Sequence, residues 1–431
     1  MKNKVKQKIA VIGAGWSGLS AAVRLSDAAE VTVFEAGKTA GGRAKSLAAG
    51  HDGFTFLDNG QHIMLHAYRS VRHLLDKIGA DRRQSCERLP LQWYLADGLQ
   101  FQTASLLPAP LHIVWGVLRA KNIGLAEKTA LLGQMRRLKN RTGVDMPVGR
   151  WLAEQQCPPR LAAQFWRPLV LGALNTPLET VSLNALQAVL HDGVWAEKDA
   201  ADYLLPKIGL SSLLADPAVA FLRRRGAEVR FGRRVGRLEI LSDGRVRVDG
   251  GDFDAVVLAV APYHATVLMP SETPLEIQTA FNSIRCHAIT TVYLRYQEDV
   301  GLPAPMCGLT DATVHWFFRR GSLGGSGREV AAVISASDQT GINDAEEWIS
   351  RADADLRRIC PNLGAPLAAK VLTEKRATAA CVAGRQIPDC RWLQQNHIYP
   401  AGDYLHPRYP ATLEAAVQSG QTAAELILNR V

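Results

Sequence analysis

What this 431-residue sequence lacks narrows it before anything it contains. Its seven cysteines (Cys86, Cys157, Cys286, Cys307, Cys360, Cys381 and Cys390) are odd in number, lie far apart and form no CxxC pair. That spacing argues against a disulfide framework and a cysteine-held metal cluster, and no metal site is expected. It fits a reducing, cytoplasmic setting. Zinc-finger spacing and interleaved aromatic and basic residues are both missing, so no nucleic-acid partner is expected despite a net charge of +9. The basic excess falls in short clusters such as Arg82-Arg83, Arg223-Arg224-Arg225 and Arg319-Arg320. Each reads as a solvated face or as a contact for an anionic surface. The basic start, Met1-Lys-Asn-Lys-Val-Lys6, runs into a strand pattern and not into a signal-peptide core. There is no internal repeat.

No apolar run reaches the roughly 20 residues of a spanning helix. The stretch between Asp97 and Arg119 carries no formal charge, but Pro108 and Pro110 break its apolar part, Leu106 to Leu118. Three readings stay open for it: a buried helix, a lid over an apolar cavity, or a monotopic contact with a membrane. Arg119 and Lys121 at its end would suit anionic headgroups. The cytoplasmic expectation therefore includes peripheral attachment to the inner face of the membrane.

What is present begins at Ile9-Ala-Val-Ile-Gly13-Ala-Gly15-Trp16-Ser17-Gly18. The apolar run reads as a buried strand. Gly13 permits a tight turn, Gly15 lets backbone approach a pyrophosphate, and Gly18 lets the following helix pack on the sheet. The start of that helix offers free N–H groups and a positive dipole end. Val31 to Phe34 reads as a second parallel strand that ends at Glu35, about 20 residues beyond Gly13, where a carboxylate can bind ribose hydroxyls. Together these predict a dinucleotide site. Glu35 favours an unphosphorylated ribose, as in FAD or NAD, over NADP. No second GxGxxG appears, so the source of electrons is an external donor of unknown kind.

Residues 86–205 look largely helical, for example over 125–141, 159–165 and 182–191. Strand patterns resume at 228–231, 235–240, 245–248 and 253–260. A mixed pattern follows, with strands expected at 289–296, 313–318, 330–335 and 370–373 and a helix at 346–360. A closing helix is expected from Thr412 to Leu428. The expected fold is α/β: a Rossmann-type dinucleotide domain (1–85, 206–265 and 391–431) with a discontinuous α+β substrate domain (86–205 and 266–390).

Gly41-Gly42-Arg43 extends the opening motif. The arrangement GxGxxG…Glu…GGR resembles flavoproteins of the amine oxidase, phytoene desaturase and protoporphyrinogen oxidase superfamily. Asp254 to Pro262 is similar to that family's strand beside the FAD domain. Ala401-Gly402-Asp403 and Pro410 to Gly420 are similar to its C-terminal FAD motif. The resemblance implies a glutathione-reductase-like fold and FAD as cofactor, with Arg43 along the pyrophosphate and Asp403 near the ribityl phosphate. It implies a helix starting near Thr412 and Leu413 at the flavin pyrimidine end. It also places Trp16, Ser17, Ala36 and Val235 against the cofactor. Leu57-Asp58-Asn59-Gly60-Gln61-His62, Phe165-Trp166-Arg167-Pro168-Leu169, Ala173 to Pro177 and Tyr203 to Lys207 resemble a narrower branch, the hydroxysqualene dehydroxylases.

That branch implies reductive removal of an allylic hydroxyl from hydroxysqualene, a long apolar isoprenoid, to give squalene. Hydroxide leaves poorly, so an acid should protonate it. Hydride from the reduced cofactor then reaches carbon in a cavity that keeps water out. Gly60, Gln61 and His62 are the residues expected near the flavin ring. His62 reads as the acid, with Gln61 beside it and Asp58 orienting it, or as a packed histidine above a turn held by Asp58. Phe165, Trp166, Arg167 and Asn175 read as substrate contacts or as core. Two alternatives remain: an oxidative flavoenzyme of the same superfamily, and a lipid-binding flavoprotein without turnover.

Overall fold

The computed structural model describes residues 6–47, 53–104 and 106–430. The first five residues of the basic start, and Ser105 in the charge-free stretch, lie outside them. Lys8–Ile12 is the middle strand of a five-stranded sheet ordered Ile398–Pro400, Ala255–Leu258, Lys8–Ile12, Glu30–Glu35, Glu228–Phe231. Every pairing is parallel, with Val11 opposite both Val33 and Val257. Burial on both faces explains why Lys8–Ile12 and Ala255–Leu258 read as continuous apolar runs, whereas the edge strand Glu228–Phe231 alternates and is partly exposed. The expected Rossmann-type sheet is therefore present.

The helices Trp16–Leu25, Asp216–Arg224 and Leu413–Leu428 contribute to the core on one face of this sheet. The first and last of these lie very close together. A Cβ added at Gly420 would stand 2.1 Å from the Ser17 carbonyl oxygen. Ser20 Oγ donates to the Val417 carbonyl at 2.9 Å. A separate core holds Ile12, Phe34, Val256 and Leu258 with Val235, Leu238 and the antiparallel strands Glu239–Ile240, Val246–Val248 and Gly251–Phe253.

A second five-stranded sheet is antiparallel, in the order Met306–Gly308, Trp316–Arg319, Glu329–Ser335, Cys286–Arg295, Ala368–Ala379. One core joins this sheet to the helices Leu111–Leu118, Leu125–Lys139, Val148–Glu154, Arg167–Leu174 and Leu183–Leu190. The helix Ala345–Arg357 packs into a different core with Val292 and Leu294.

Several elements differ from the sequence reading. Residues 86–205 are not only helical. They include the strands Cys86–Leu89, Gln92–Tyr94, Gln100–Gln102 and Tyr203–Pro206. Strands of three or four residues carry too little alternation to see, and Cys86–Leu89 finds its partner, Tyr203–Pro206, only through the tertiary fold. In the run 235–240 only Glu239–Ile240 is strand, because Val235 and Leu238 turn into the core instead. The strand expected at 370–373 spans Ala368–Ala379, paired along its length with Cys286–Arg295. The helix expected over 159–165 continues through a wide π-type turn, Ala162–Trp166, to Leu174.

Candidate functional site

The site is built where the first strand meets the first helix. Gly13 has φ +102°, and a Cβ there would stand 2.4 Å from the Ala259 carbonyl oxygen, so only glycine makes this turn. Its N–H donates to the Phe34 carbonyl at 2.8 Å. At Gly18 an added Cβ would come within 1.9 Å of the Gly13 carbonyl oxygen. The helix starts at Trp16 with Gly15 as its N-cap, and no side chain caps it. Its first amides are thus left to a ligand. Ser17 Oγ is buried beside them without a hydrogen-bond partner.

Gly41-Gly42-Arg43 lies across this loop. The Gly41 N–H donates to the Ala14 carbonyl at 2.8 Å, and Gly41 bridges Gly15. Trp16 Nε1 donates to the Ala44 carbonyl at 3.0 Å and pins the same segment. Arg43 Nη1 then reaches the Ala377 carbonyl at 2.7 Å, and Nη2 reaches Asp403 Oδ1 at 2.5 Å. Opening motif and C-terminal motif therefore meet through one guanidinium. Asp403, foremost among its surroundings, holds Arg43 more firmly protonated than usual.

The segment Asp58–His62 is tied onto this loop. Asn59 Nδ2 donates to the Arg43 carbonyl at 3.0 Å and to Glu374 Oε2 at 3.1 Å. The Asn59 N–H donates to the Lys45 carbonyl at 2.8 Å. Asp58, 3% exposed, accepts from Ser46 Oγ at 2.7 Å and from the Leu210 N–H at 2.9 Å. Both bonds fall on Oδ1 and fix the loop crossing, and among the described residues Asp58 makes no hydrogen bond to His62. Burial raises its pKa. Gly60 takes φ +102°. His62 is half-buried. Burial, followed by the charge of Arg43, pushes its pKa down to about 4.

At the other end, Thr412 Oγ1 caps the closing helix by accepting from the Ala415 N–H at 3.0 Å. The Gly402 N–H donates to Ser419 Oγ at 2.9 Å. Glu414 does not face this site. Its two oxygens accept from the Ser70 and Val71 N–H groups, each at 2.9 Å, and so cap the helix Arg69–Ile78.

These residues fit FAD. A carboxylate offers about four lone-pair positions. Glu35 uses two, accepting from Ala14 N–H at 2.8 Å and Gly37 N–H at 2.7 Å, which leaves two for ribose hydroxyls. Gly13, Gly15, Ser17, Gly18 and Arg43 supply donors and close backbone approach for a pyrophosphate. Trp16 pins the crossing loop, Ala36 is exposed just past Glu35, Val235 is buried near the Glu35 strand, and half-buried Leu413 follows the Thr412 cap.

The expected substrate contacts are engaged in packing and hydrogen bonds of the fold, Asn175 bonding Thr378 next to the strand residue Ala377 that Arg43 bonds. Phe165 and Trp166 belong to an aromatic core, with ring centroids 5.1 Å apart and Phe165 5.2 Å from Trp93. Trp166 is fully buried and donates to Gln134 Oε1 at 2.8 Å. Arg167 is exposed and pairs with Glu179 at 3.1 Å. Asn175 ends its helix at φ +46° and locks it to the antiparallel sheet, accepting from the Ala336 N–H at 2.6 Å and donating to Thr378 Oγ1 at 2.8 Å. Sequence reading missed Arg320. It is 1% exposed, pairs with the equally buried Glu329 at 3.6 Å, and donates to the Phe56 carbonyl and, at 3.5 Å, to Gln61 Oε1. Its signal was only a basic doublet, which is usually surface.

The sequence profile of the flavin containing amine oxidoreductases matches residues 16–428. The chain is 28% identical to the hydroxysqualene dehydroxylase of Sinorhizobium fredii, over 98% of this chain and 99% of that protein. It is 25% identical to the 15-cis-phytoene desaturase of Arabidopsis thaliana, over 98% and 80% of the two. Among solved structures, cyclohexylamine oxidase from Brevibacterium oxydans superimposes with a TM-score of 0.73 at 18% identity, covering 99% of each chain.

Proposed function

Because the chain belongs to the flavin containing amine oxidoreductase family and is an FAD-dependent oxidoreductase, we propose that its reaction is the reductive removal of the hydroxyl of hydroxysqualene to give squalene. The observation that carries this reading is the end-to-end similarity to the Sinorhizobium dehydroxylase, which spans both chains almost completely. The Asp58–His62 segment, tied to the Arg43 loop through Asn59, supports it from the geometry.

The overall change replaces a C–O bond by a C–H bond: the hydroxyl leaves as water with one added proton, and a hydride enters at carbon. FAD, when bound and reduced, supplies the hydride. The chain supplies position and proton control. Arg43 and the amides at the start of Trp16–Leu25 would hold the pyrophosphate, and Glu35 the ribose. Gly60 to His62, tied beside the Arg43 loop, would stand near the flavin ring when FAD is bound. His62, with a pKa of about 4, is neutral near pH 7 and donates a hydrogen bond to the hydroxyl. Its charged form, a minor species at pH 7, would be the acid for the leaving oxygen.

The test is anaerobic incubation of the FAD-loaded, photoreduced protein with hydroxysqualene, followed by product analysis. Squalene with matching flavin reoxidation is the expected result, and no squalene overturns the reading. If His62 is the acid, kcat/KM rises as pH falls from 8 toward the about 4 at which it charges. His62→Gln flattens that rise while FAD stays bound. Conversion of phytoene instead, with electrons entering the flavin, would favour the oxidative alternative to which the Arabidopsis relative belongs.

A further inference from the structure

The charge-free stretch ends in the helix Leu111–Leu118. Its inner face, Ile113, Gly116 and Val117, is buried. A Cβ at Gly116 would stand 2.8 Å from the Gln102 carbonyl oxygen, so the helix lies tight against the strand Gln100–Gln102. The outer face is apolar as well. Leu111, Trp115 and Leu118, one stripe at helical spacing, are 52%, 48% and 46% exposed. Leu106 and Leu125 flank them at 92% and 74%. Single exposed leucines are ordinary, but five large apolar side chains within one short segment form a patch. A helix that is apolar all round normally meets apolar matter all round. Here the protein covers only half of it.

The charges that follow the helix directly are cationic, while the nearest carboxylates are engaged elsewhere, Glu127 with the Gly124 N–H and Arg160, and Asp202 with Arg88. No aspartate or glutamate occurs from Gly98 to Ala126. The exposed cations Arg119 and Lys121 follow the helix, and the Arg119 guanidinium lies 5.6 Å from the centroid of the Trp115 ring. Lys128 Nζ donates to the Leu118 carbonyl at 2.9 Å. An amphipathic ring with a cation beside it belongs at the boundary between acyl chains and headgroups. The helix is about 12 Å long, far short of a bilayer core of about 30 Å, so it can only lie in the interface plane. Among the described residues no helix is long and apolar enough to cross a membrane.

We propose that this face docks on the surface of an anionic phospholipid bilayer, with Leu106, Leu111, Trp115 and Leu118 entering the acyl boundary and Arg119 and Lys121 meeting the phosphates. The patch is a ridge of separate side chains beside cations and has no paired polar anchors. That pattern matches a fluid apolar layer under an anionic one better than it matches a shaped protein surface. The docking rests on this geometry alone. Its use, extraction of an apolar substrate from the membrane, rests on the proposed reaction.

The test is co-sedimentation of the full-length, FAD-loaded protein with vesicles of phosphatidylcholine, with and without phosphatidylglycerol. Binding to the anionic vesicles that weakens with salt is expected. The double variant L111E/L118E should bind at least about tenfold more weakly, and R119E/K121E should lose the preference for phosphatidylglycerol. Leu275→Glu, at a leucine 75% exposed elsewhere, should bind as the wild type does. FAD content and thermal midpoint report whether each variant has folded. Independently of those variants, brominated phospholipid should quench wild-type fluorescence more than that of Trp115→Phe. Failure of the wild type to bind anionic vesicles overturns the proposal. So does undiminished binding of a folded L111E/L118E, or a wild-type dimer that this variant splits, since a second copy then covers the face. The vesicles contain no isoprenoid and conversion can be assayed in detergent, so docking and reaction fail separately.

Discussion

Arg43 carries two bonds on one guanidinium, and its worth can be separated by substitution. Arg43→Ala removes a charged donor from the cofactor cradle and leaves Asp403, 6% exposed, without its cation. Hydrogen bonds to charged groups contribute about 1.5–3 kcal/mol, so FAD should bind roughly ten- to a hundredfold more weakly in a fluorescence titration. Arg43→Lys keeps the charge but loses the fork and should fall between; affinity equal to that of wild type in either variant would refute the role. Arg320 is held differently. Its guanidinium lies 4.0 Å from the Phe56 ring centroid and 5.4 Å from that of Tyr293, and Glu329 is its only carboxylate partner among the described residues. Glu329→Gln leaves a buried cation unneutralised and should cost about 3–5 kcal/mol in urea denaturation. The pair replacement Arg320→Met with Glu329→Leu should cost less than that single change. If the single change is the milder one, the two charges are not coupled.

Among elements, the contact between Trp16–Leu25 and Leu413–Leu428 matters most, because it fixes both ends of the cofactor cradle at once. Gly420→Val would drive side-chain atoms into backbone that already stands 2.1 Å from a mere Cβ. The closing helix must then shift, carrying Thr412 and Gly402 with it. Purified Gly420→Val should retain less than about a tenth of its FAD, read from flavin absorbance per chain, since a misplacement of this size removes the geometry the ligand needs. Full occupancy would show that the helix contact is not needed for binding. The turn into the first helix was legible in the sequence from Gly13 and Gly18, but the contact of Gly420 with Ser17 was not, because the C-terminal motif shows a glycine without showing what it packs against. The helices Leu125–Lys139 and Leu183–Leu190 were legible too, to within two residues at each end. The strand Cys86–Leu89 was not, because its reason for being a strand is a partner beyond residue 200. Nor were the tasks of Asp58 and Asn175: residue type gives their hydrogen-bonding capacity, but the fold decides that Asp58 binds Ser46 and Leu210 and that Asn175 binds Ala336 and Thr378. Arg320 pointed the wrong way for the same reason, since a doublet of arginines says nothing about which one turns inward.

At the scale of the whole molecule, burial pushes down His66, His112, His264 and His406 as well as His62 and His315, and the last two are shifted furthest. His62 lies at the cofactor loop and His315 in the antiparallel half, and burial pushes each down to about 4. His315 Nδ1 accepts from the Ser335 N–H at 3.0 Å, so protonation there would remove an acceptor as well as bury a charge. In the unfolded chain both titrate near 6.5. Between about 6.5 and about 4 the unfolded state therefore binds more protons than the folded one, and stability rises with pH across that window. The contribution is complete above the unfolded value and is lost as pH falls toward the folded one. Asp58 works in the opposite direction, because its raised pKa makes the folded state the better proton acceptor in the carboxylate range, so it blunts the lower end of the loss. The thermal midpoint of the FAD-loaded protein should thus fall steadily from pH 7 to pH 4.5. His62→Gln and His315→Gln should each make that fall shallower, and the double variant shallower still, because no hydrogen bond or ion pair links the two and a different arginine acts on each, Arg43 on His62 and Arg167 on His315. A midpoint that stays flat over this range in the wild type, or that falls just as steeply in the double variant, would assign the acid sensitivity to other groups.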